Sequence, residues 1–370
     1  MKLAITGQEG FIGYHLYNTL KYKHPYHEIL DFKKSLFKDV KALDSLVSNL
    51  DVIIHLAGVN RSKSKNDILE KNLFLTEQLI NSLIRTNFKG KLIFASSIKH
   101  NENNSYGKSK KLSSELFLNS SKENDFTFIN LIIPNVFGPF CKPNYNSFIS
   151  TFCYNSINEI KNNINVNHKV PLIYIDNLVD VIIDQLNINS NSEFLVDEDL
   201  KITVEEVKKI IDHFKETYYL QGNIPDLNTS FKTNIFNTFQ SYIDLNNYFP
   251  RKYNLITDDR GSFSELIKAS TKGQTSYSAT NPNFTRGNHF HTRKTERFSV
   301  LEGEALIKMR KIGTDEVFSF KLSGKAPSYV DMKIWHTHNI HNIGKTSLIT
   351  LFWINEFFKE SDPDTYSEKV

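Results

Sequence analysis

The stretch "SYGKSK" sets Tyr106 and Lys110 four residues apart. On a helix that spacing puts both side chains on one face. An ammonium beside a phenol favours the phenolate and lowers its pKa. Such a tyrosine can pass a proton to a carbonyl oxygen while a nicotinamide delivers hydride to the carbon. Ser97, closing the run "KLIFASS" (91–97), can hydrogen-bond the same oxygen. A Tyr-x-x-x-Lys on its own is as readily an exposed helix pair; its place after a strand ending in Ser-Ser favours chemistry. A second group asks for different chemistry. "GNHFHTRKTE" (287–296) carries His289, His291 and Glu296, and His338 follows well downstream. Histidines at i and i+2 of a strand point to one face. Imidazoles with one carboxylate suit Zn²⁺, and also Ni²⁺, Fe²⁺ or Mn²⁺. A lone strand histidine is usually a packed or exposed polar residue. That reading fails for a His-x-His with a carboxylate and a later cluster of His336, His338 and His341.

The elements that must position the first group begin at the N-terminus. "KLAIT" (2–6) reads as a buried strand that runs into "GQEGFIG", with Gly7, Gly10 and Gly13 spaced G-x-x-G-x-x-G. Strand, tight glycine turn and helix make a pyrophosphate site, because glycine lets the backbone approach the phosphates and the helix N-terminus offers free N–H groups. The spacing differs from the ordinary dinucleotide fingerprint. "HEILDF" (27–32), "DVIIHLAG" (51–58) and "KLIFASS" read as further strands, with helical patterns between them such as "NLFLTEQLINSLIRT" (72–86). This alternation predicts a doubly wound parallel sheet of Rossmann type. Its cofactor crevice lies at the carboxyl ends of the strands, where Gly7, Ala57, Gly58 and Ser97 fall. Asp31 can accept from a ribose 2′-hydroxyl, which favours NAD, whereas Lys33 and Lys34 can pair a 2′-phosphate. A reductive role and the two lysines favour NADPH.

From about residue 190 the alternation weakens. "TVEEVKKIIDHFKE" (203–216) predicts an amphipathic helix with apolar residues at 204, 207, 210, 211 and 214, expected to present or close the substrate cleft. Residues 223–250 read as a mixed connecting segment, and Pro250 as the end of the domain, so the expected domains are 1–250 and 251–370. Beyond it come short alternating strands separated by Gly or Pro turns: "TSYSATNPN", "RFSVLEGEALIKMRK", "EVFSFKLSG", "SYVDM" and "SLITLFWINEF". They predict an all-β barrel or jelly roll.

A chain of 370 residues is too long for one ordinary core, in keeping with two domains. The net charge of +4 is spread along the chain, which argues against a nucleic-acid stripe and for sites taking a phosphorylated small molecule. There is no run of 18 apolar residues and no signal-peptide pattern, so no membrane partner is expected. Cys141 and Cys153 are the only cysteines, which is no disulfide framework, and a reducing cytoplasm is the expected location.

The first half resembles the extended short-chain dehydrogenase/reductases that act on nucleotide sugars. The matching pieces are "TGQEGFIG", "HLAG", the Ser-Ser before "SYGKSK", "IPNVFGP" (133–139) and "YIDNLVD" (174–180). The resemblance implies that Gly7, Gly10, Phe11, Ile12, Gly13, Lys33, Ala57 and Gly58 line the cofactor. It makes Ser97, Tyr106 and Lys110 the catalytic trio, places Pro134 by the nicotinamide and Asn135 by the sugar, and offers Lys142 for the diphosphate. The order Gly287, His289, His291, Glu296, Gly303, His338, Asn342 resembles the cupin family, with His289, His291, Glu296 and His338 in the ligand places. Its second motif usually has Pro and Gly where this chain has Lys333 and Trp335, a departure that bears on the shape of that turn. "DDRGSFSE" (258–265) is similar to the substrate-binding segment of nucleotide-sugar 3,5-epimerases, where Arg260 would hold phosphate.

Reductase first and cupin second resembles, over essentially the whole chain, the bifunctional capsular-polysaccharide enzymes of the UDP-N-acetyl-L-fucosamine pathway. "HLAGVNR" (55–61), "PNYNSFISTFCY" (143–154), "TDDRGSF" (257–263), "THNI" (337–340) and the tail "PDTY" (363–366) carry that resemblance. It implies a UDP-sugar substrate with a 4-keto group, epimerised at C3 in a zinc-holding cupin and then reduced at C4 with NADPH, in a homodimer. The chemistry is coherent by itself: a C4 ketone acidifies the C3 proton, and its reduction locks the new configuration. His336, His341, Lys268 and Glu265 are candidate bases. Two rivals stay open, a 4-reductase whose cupin only dimerises or binds, and a non-catalytic NADPH sensor.

Overall fold

The computed structural model describes residues 1–62, 65–253, 256–258, 261–263, 267, 273–356 and 359–370. The chain divides into two compact units, Met1–Thr151 with Val166–Val204, and Phe152–Asn165 with Glu205–Val370. In chain order the first half forms β1 (Lys2–Thr6), α1 (Phe11–Lys23), β2 (Glu28–Leu30), α2 (Val40–Val47), β3 (Val52–His55), α3 (Lys65–Arg85), β4 (Lys91–Ser97), α4 (Ser105–Asn124), β5 (Thr127–Ile133), β6 (Asn135–Phe137), α5 (Phe148–Ile157), β7 (Lys169–Tyr174), α6 (Ile175–Asp184), β8 (Ser192–Leu195) and β9 (Leu200–Thr203). Six of these strands make one parallel sheet in the order β2-β1-β3-β4-β5-β8. β1, β3, β4 and β5 are buried almost throughout, as expected when helices cover both faces of a parallel sheet. Phe37, Leu79, Leu83, Phe94, Phe117 and Phe128 fill the core on one of those faces. The strand order reverses between β1 and β3, which opens the crevice the sequence predicts there.

The second half continues with α7 (Val204–Phe214), α8 (Ser230–Gln240), α9 (Leu245–Tyr248), β10 (Arg251–Lys252), β11 (Ile256–Asp258), β12 (Gly261–Phe263), β13 (Gln274–Thr280), β14 (Thr285–Phe290), β15 (Glu296–Glu302), β16 (Glu304–Lys311), β17 (Val317–Ser323), β18 (Ser328–Met332), β19 (His336–Asn342), β20 (Leu348–Ile354) and β21 (Tyr366–Ser367). Two five-stranded sheets, β10-β18-β15-β20-β13 and β17-β16-β19-β14-β21, account for the expected all-β architecture. Pairing within both is antiparallel.

The units part near Val204, whereas the sequence places the domain boundary at Pro250. The reason is packing. Tyr218, in the π-helical turn that continues α7, donates to Asp331 on β18. Arg297 on β15 donates to the Gly222 carbonyl at 2.7 Å, and Lys333 Nζ to the Ile243 carbonyl at 2.7 Å. The segment 205–250 therefore belongs with the barrel, and α7 is an element of that unit, not of the cleft described below. The segment read as connecting holds α8, which starts from a Thr229 cap accepting from Lys232 N and buries Ile235, Phe236 and Phe239. Asn237, Thr238 and Gln240 are buried with them, and these polar positions hid the helical period. Among the described residues no helix is long and apolar enough to cross a membrane.

Candidate active sites

The crevice begins where β1 meets the glycine turn. Gly7 has φ +74°, a left-handed backbone, and a side chain there would press on Ala57 at 3.1 Å. Gly13, in the first turns of α1, lies so close to that turn that a Cβ would sit 2.2 Å from the Gly7 carbonyl oxygen. Gly10 N donates to Gly7 O at 2.9 Å and Gly10 caps α1 without any side chain, leaving the N–H groups at Phe11 and Ile12 for an anion. Thr6 Oγ1 accepts from Ala57 N at 3.1 Å and meets His55 Nδ1 at 2.8 Å, tying the end of β1 to that of β3. Burial holds His55 neutral, with its pKa down to about 3. Asp31 and Lys33 stand together at the end of β2. Gln8 Nε2 donates to Asp31 at 2.7 Å, and Lys33 Nζ is 3.9 Å from the same carboxylate. The turn thus offers both groups the sequence weighed for the ribose.

A cleft of about 740 Å³ opens beside the turn, lined by Phe11, Ile12, Gly58, Ser97, Tyr106, Lys110, Pro134 and Asn135. The structure brings these predicted residues together because β4 ends at Ser97 and α4 starts at Ser105, capped by Asn104 accepting from Gly107 N. Lys110 differs from the sequence expectation. Its Nζ donates to the Ala95 carbonyl at 2.6 Å, lies over the Phe94 ring at 4.7 Å, and is 6.0 Å from the centre of the Tyr106 ring. Burial pushes its pKa down to about 8. The Tyr106 phenol is raised, not lowered: burial dominates, Ser97 opposes it through a hydrogen bond, and Glu102 and Tyr145 add to the rise. Desolvation therefore keeps the Tyr106 phenol protonated. Asn135 Nδ2 donates to Pro171 O at 3.2 Å. Lys142 is exposed, with its Nζ 5.8 Å from the Tyr145 ring. Glu102, Arg61 and Tyr145 line the cleft without having been singled out. Tyr145 lies within "PNYNS", beside Lys142, and was read only for its resemblance.

The barrel holds the second constellation. His289 on β14, His291 just past its end, Glu296 on β15 and His338 on β19 present ligand atoms that all lie within 4.8 Å of one another. A bulge between Gly287 and His289, with Asn288 at φ +60°, shifts the register so that His289 faces His338. His291 Nε2 is 3.4 Å and His338 Nε2 3.2 Å from Glu296 Oε2, and these three buried atoms have no hydrogen-bond partner among the described residues. Three such atoms converging in a buried site, with a partly exposed His289 on one side, fit a divalent ion. The electrostatics agree. Burial would raise Glu296, but His291 and His338 hold it well below the carboxylate range. Burial pushes His289 down to about 4, leaving it neutral and able to coordinate. Trp335, at the position where the cupin resemblance expects glycine, adopts φ +55° and donates its backbone N–H to His291 O at 2.8 Å while its ring stacks on Phe290. The turn keeps the glycine conformation without glycine.

Of the candidate bases, His341 lies on the face of β19 opposite to His338 and bonds Thr285 Oγ1 at 2.9 Å. His336 shares the face of His338 but is buried, and its pKa is pushed down to about 3. Arg260, Glu265 and Lys268 lie outside the described residues.

Comparison with known proteins follows the same division. The NAD dependent epimerase/dehydratase family matches residues 3–193, and the polysaccharide biosynthesis C-terminal domain matches residues 256–366. Over 374 residues the chain is 30% identical to a UDP-2-acetamido-2,6-beta-L-arabino-hexul-4-ose reductase of Pseudomonas aeruginosa, across 100% of this chain and 99% of that protein. The crystal structure of the capsular polysaccharide assembling protein CapF from Staphylococcus aureus is similar at a TM-score of 0.63 and 32% identity, covering 100% of both chains. A UDP-glucose 4-epimerase from Thermotoga maritima, solved with UDP-glucose, shares the fold over 65% of this chain and 98% of its own, with a TM-score of 0.57 at 16% identity.

Proposed function

The chain belongs to the NAD dependent epimerase/dehydratase family, and within it to the two-part capsular-polysaccharide enzymes that add a polysaccharide biosynthesis C-terminal domain; on that premise we propose that it is a bifunctional nucleotide-sugar enzyme. Its barrel epimerises C3 of a UDP-2-acetamido-2,6-dideoxy-4-ketohexose. Its first unit then reduces the C4 ketone with NADPH, giving UDP-N-acetyl-6-deoxy-L-talosamine for capsule or O-antigen synthesis. The observation that carries this reading is that two complete constellations occur on one chain, Ser97–Tyr106–Lys110 in a cleft and a four-ligand cluster in the barrel.

In the first unit the glycine turn and the open N-terminus of α1 receive the cofactor pyrophosphate, while Lys33 and Lys34 receive a 2′-phosphate. The bound nicotinamide supplies hydride. Tyr106 gives its phenolic proton to the C4 oxygen, and Ser97 orients that oxygen and the phenol together. Lys110, fixed on Ala95, keeps positive charge beneath the tyrosine at neutral pH, below its own pKa of about 8. Asn135, Lys142 and Arg260 are assigned to the UDP-sugar. In the barrel His289, His291, Glu296 and His338 hold the metal, with zinc the expected ion, and the ion when bound supplies positive charge for a developing oxygen anion. The barrel strands enclose three of the four ligands, which keeps water from them. Exposed Phe74 on α3 and Leu112 and Leu116 on α4 support a homodimer, and the expected location is the cytoplasm.

The test is product NMR from a 4-keto UDP-sugar in deuterated water. The wild-type enzyme is expected to incorporate deuterium at C3 and to consume NADPH in preference to NADH. The double variant His289→Ala, His291→Ala is expected to lose C3 exchange and keep NADPH binding. Exchange retained in that variant would overturn the metal-dependent epimerase, and a preference for NADH would overturn the cofactor assignment.

A further inference from the structure

The tail of the chain runs along the strand that carries the metal ligands. β21 pairs antiparallel with β14, His289 opposite Ser367 and Phe290 opposite Tyr366. The Tyr366 ring stacks on Phe290 with 5.3 Å between centroids. Glu368 N donates to Asn288 O at 3.0 Å, and Thr337 Oγ1 donates to Glu368 O at 2.5 Å. The sheet bearing His289 and His338 thus takes its last strand from the C-terminus.

This pairing sets Asp364 beside His291. The Asp364 carboxylate is fully buried. One oxygen accepts from Thr292 N at 3.2 Å and Thr292 Oγ1 at 2.6 Å. The other accepts from the backbone N–H groups of Arg293 at 3.0 Å and Lys294 at 3.2 Å. Asp364 therefore holds the whole turn that follows His291. Its own carbonyl oxygen lies 2.5 Å from His291 Nδ1. A carbonyl can only accept, so Nδ1 carries a proton, and in the neutral ring the lone pair left on Nε2 is turned toward Glu296. Asp364 reaches this position with φ +41°, a left-handed backbone that aims its carbonyl at the ring. Lys294 Nζ donates to Pro363 O at 2.5 Å and Arg293 to Asp362 at 2.8 Å, fastening the two residues before Asp364. The contrast with the other buried ligand histidine is informative. His338 Nδ1 finds its acceptor on its own strand, the His336 carbonyl at 3.1 Å. Strand pairing alone would dock a tail. It would not call for a buried carboxylate that collects four donors from the turn behind a ligand.

We propose that the strap 362–368, acting through Asp364, is a positioning element of the metal site: it fixes the tautomer and ring orientation of His291 and so sets the affinity for the ion. This rests on the metal reading given under the proposed function. Groups that orient a ligand histidine in this way change metal affinity by about 10–100-fold when removed. By linkage, the ion must favour the docked strap by the same factor by which the strap favours the ion.

The test uses full-length protein and Zn²⁺, with affinity read by competition against a chromophoric chelator. Asp364→Gly keeps the left-handed backbone and removes the carboxylate, and is expected to bind Zn²⁺ about 10–100-fold more weakly. Asp364→Asn keeps one accepting oxygen and loses the other, and is expected between Asp364→Gly and wild type. NADPH binding should be unchanged in both. A second measurement needs no variant: carboxypeptidase digestion of the wild-type tail should slow on adding Zn²⁺ by a factor similar to the affinity change. Equal Zn²⁺ affinity in Asp364→Gly and wild type, or digestion that ignores Zn²⁺, overturns the strap as a positioning element. A wild-type protein that binds no divalent ion overturns the metal reading itself, so the two failures are distinguishable.

Discussion

The cleft of the first unit and the four-residue cluster of the barrel are assembled in opposite ways. Ser97, Tyr106 and Lys110 come from one strand and the helix after it, so a single local unit fixes their geometry. His289, Glu296 and His338 come from three strands in two different sheets, and His291, just past the end of β14, bonds through Nδ1 to the Asp364 carbonyl near the chain end. Their electrostatics also differ. In the cleft burial acts on single groups, lowering Lys110 to about 8 and raising Tyr106. In the barrel Glu296 is held below the carboxylate range by its neighbours His291 and His338. A site built locally tolerates a solvent-lined cleft, whereas a site built from distant strands depends on the framework that holds those strands together.

The largest expected effect breaks the cleft and leaves the barrel intact. Tyr106→Phe removes the proton donor and is expected to lower the rate of ketone reduction by about 10²–10⁴-fold. C3 deuterium exchange should continue at the wild-type rate. Stopped NADPH oxidation with persistent exchange checks this in one NMR tube; unchanged reduction would show that Tyr106 is not the donor. The complementary variant breaks the barrel's framework. Arg297 is buried between the Tyr329 ring at 3.9 Å and Asp331, which it grips through Nε at 2.7 Å and Nη2 at 3.0 Å. Asp331 also accepts from the Tyr218 hydroxyl, so Arg297→Ala strands a buried carboxylate. Breaking such a pair costs about 3–5 kcal/mol. Chemical denaturation should show that loss in the barrel signal, with NADPH affinity unaltered. A loss of NADPH binding would mean that the units do not separate as the contacts divide them.

This contrast also explains what the sequence made legible. The fold class of both halves followed from pattern: β4 and β18 occupy the runs read as strands, 91–97 and 328–332. The cleft was legible because its residues are neighbours in the chain. The four-residue cluster was legible by residue type, since a His-x-His with a carboxylate and a later histidine in strand patterns points to side chains that converge. Asp364 was not legible, because a carboxylate in "PDTY" carries no sign of the turn it will cap. The boundary at Pro250 missed α8 and the buried Arg297–Asp331–Tyr218 network, because a polar side chain advertises burial only once its partner is known. The expected fall of the Tyr106 pKa failed for a similar reason: sequence shows the neighbouring lysine but not the desolvation.

A smaller effect sharpens the local side of the comparison. Gly13→Ala places a methyl 2.2 Å from the Gly7 carbonyl and 2.6 Å from Gln8 Cα, so the glycine turn must shift. Overpacking of this kind costs about 1–3 kcal/mol. NADPH binding should weaken correspondingly, by about 5–150-fold, as titrated by nicotinamide fluorescence, while Zn²⁺ content stays at the wild-type level. Full NADPH affinity in this variant would remove the glycine turn from the cofactor site.

The smallest effect concerns the framework of the barrel and has a definite sign in pH. Lys333 is buried with its ammonium on the Ile243 carbonyl, and burial lowers its pKa to about 7 from 10.5. Between those values the unfolded chain holds a proton that the folded chain lacks. Stability therefore rises with pH from about 7 to 10.5, and the burial penalty is fully present below 7. Lys333→Met removes that penalty but leaves the Ile243 carbonyl without its donor, at a cost of about 1 kcal/mol. The net expectation is a gain of order 1 kcal/mol at pH 6.5 that fades as the pH approaches 10. Urea midpoints of the barrel signal across that range measure it. An unchanged slope in Lys333→Met would place the pH dependence elsewhere, and the first group to examine would be Lys311, whose burial-lowered pKa acts in the same direction in the same unit.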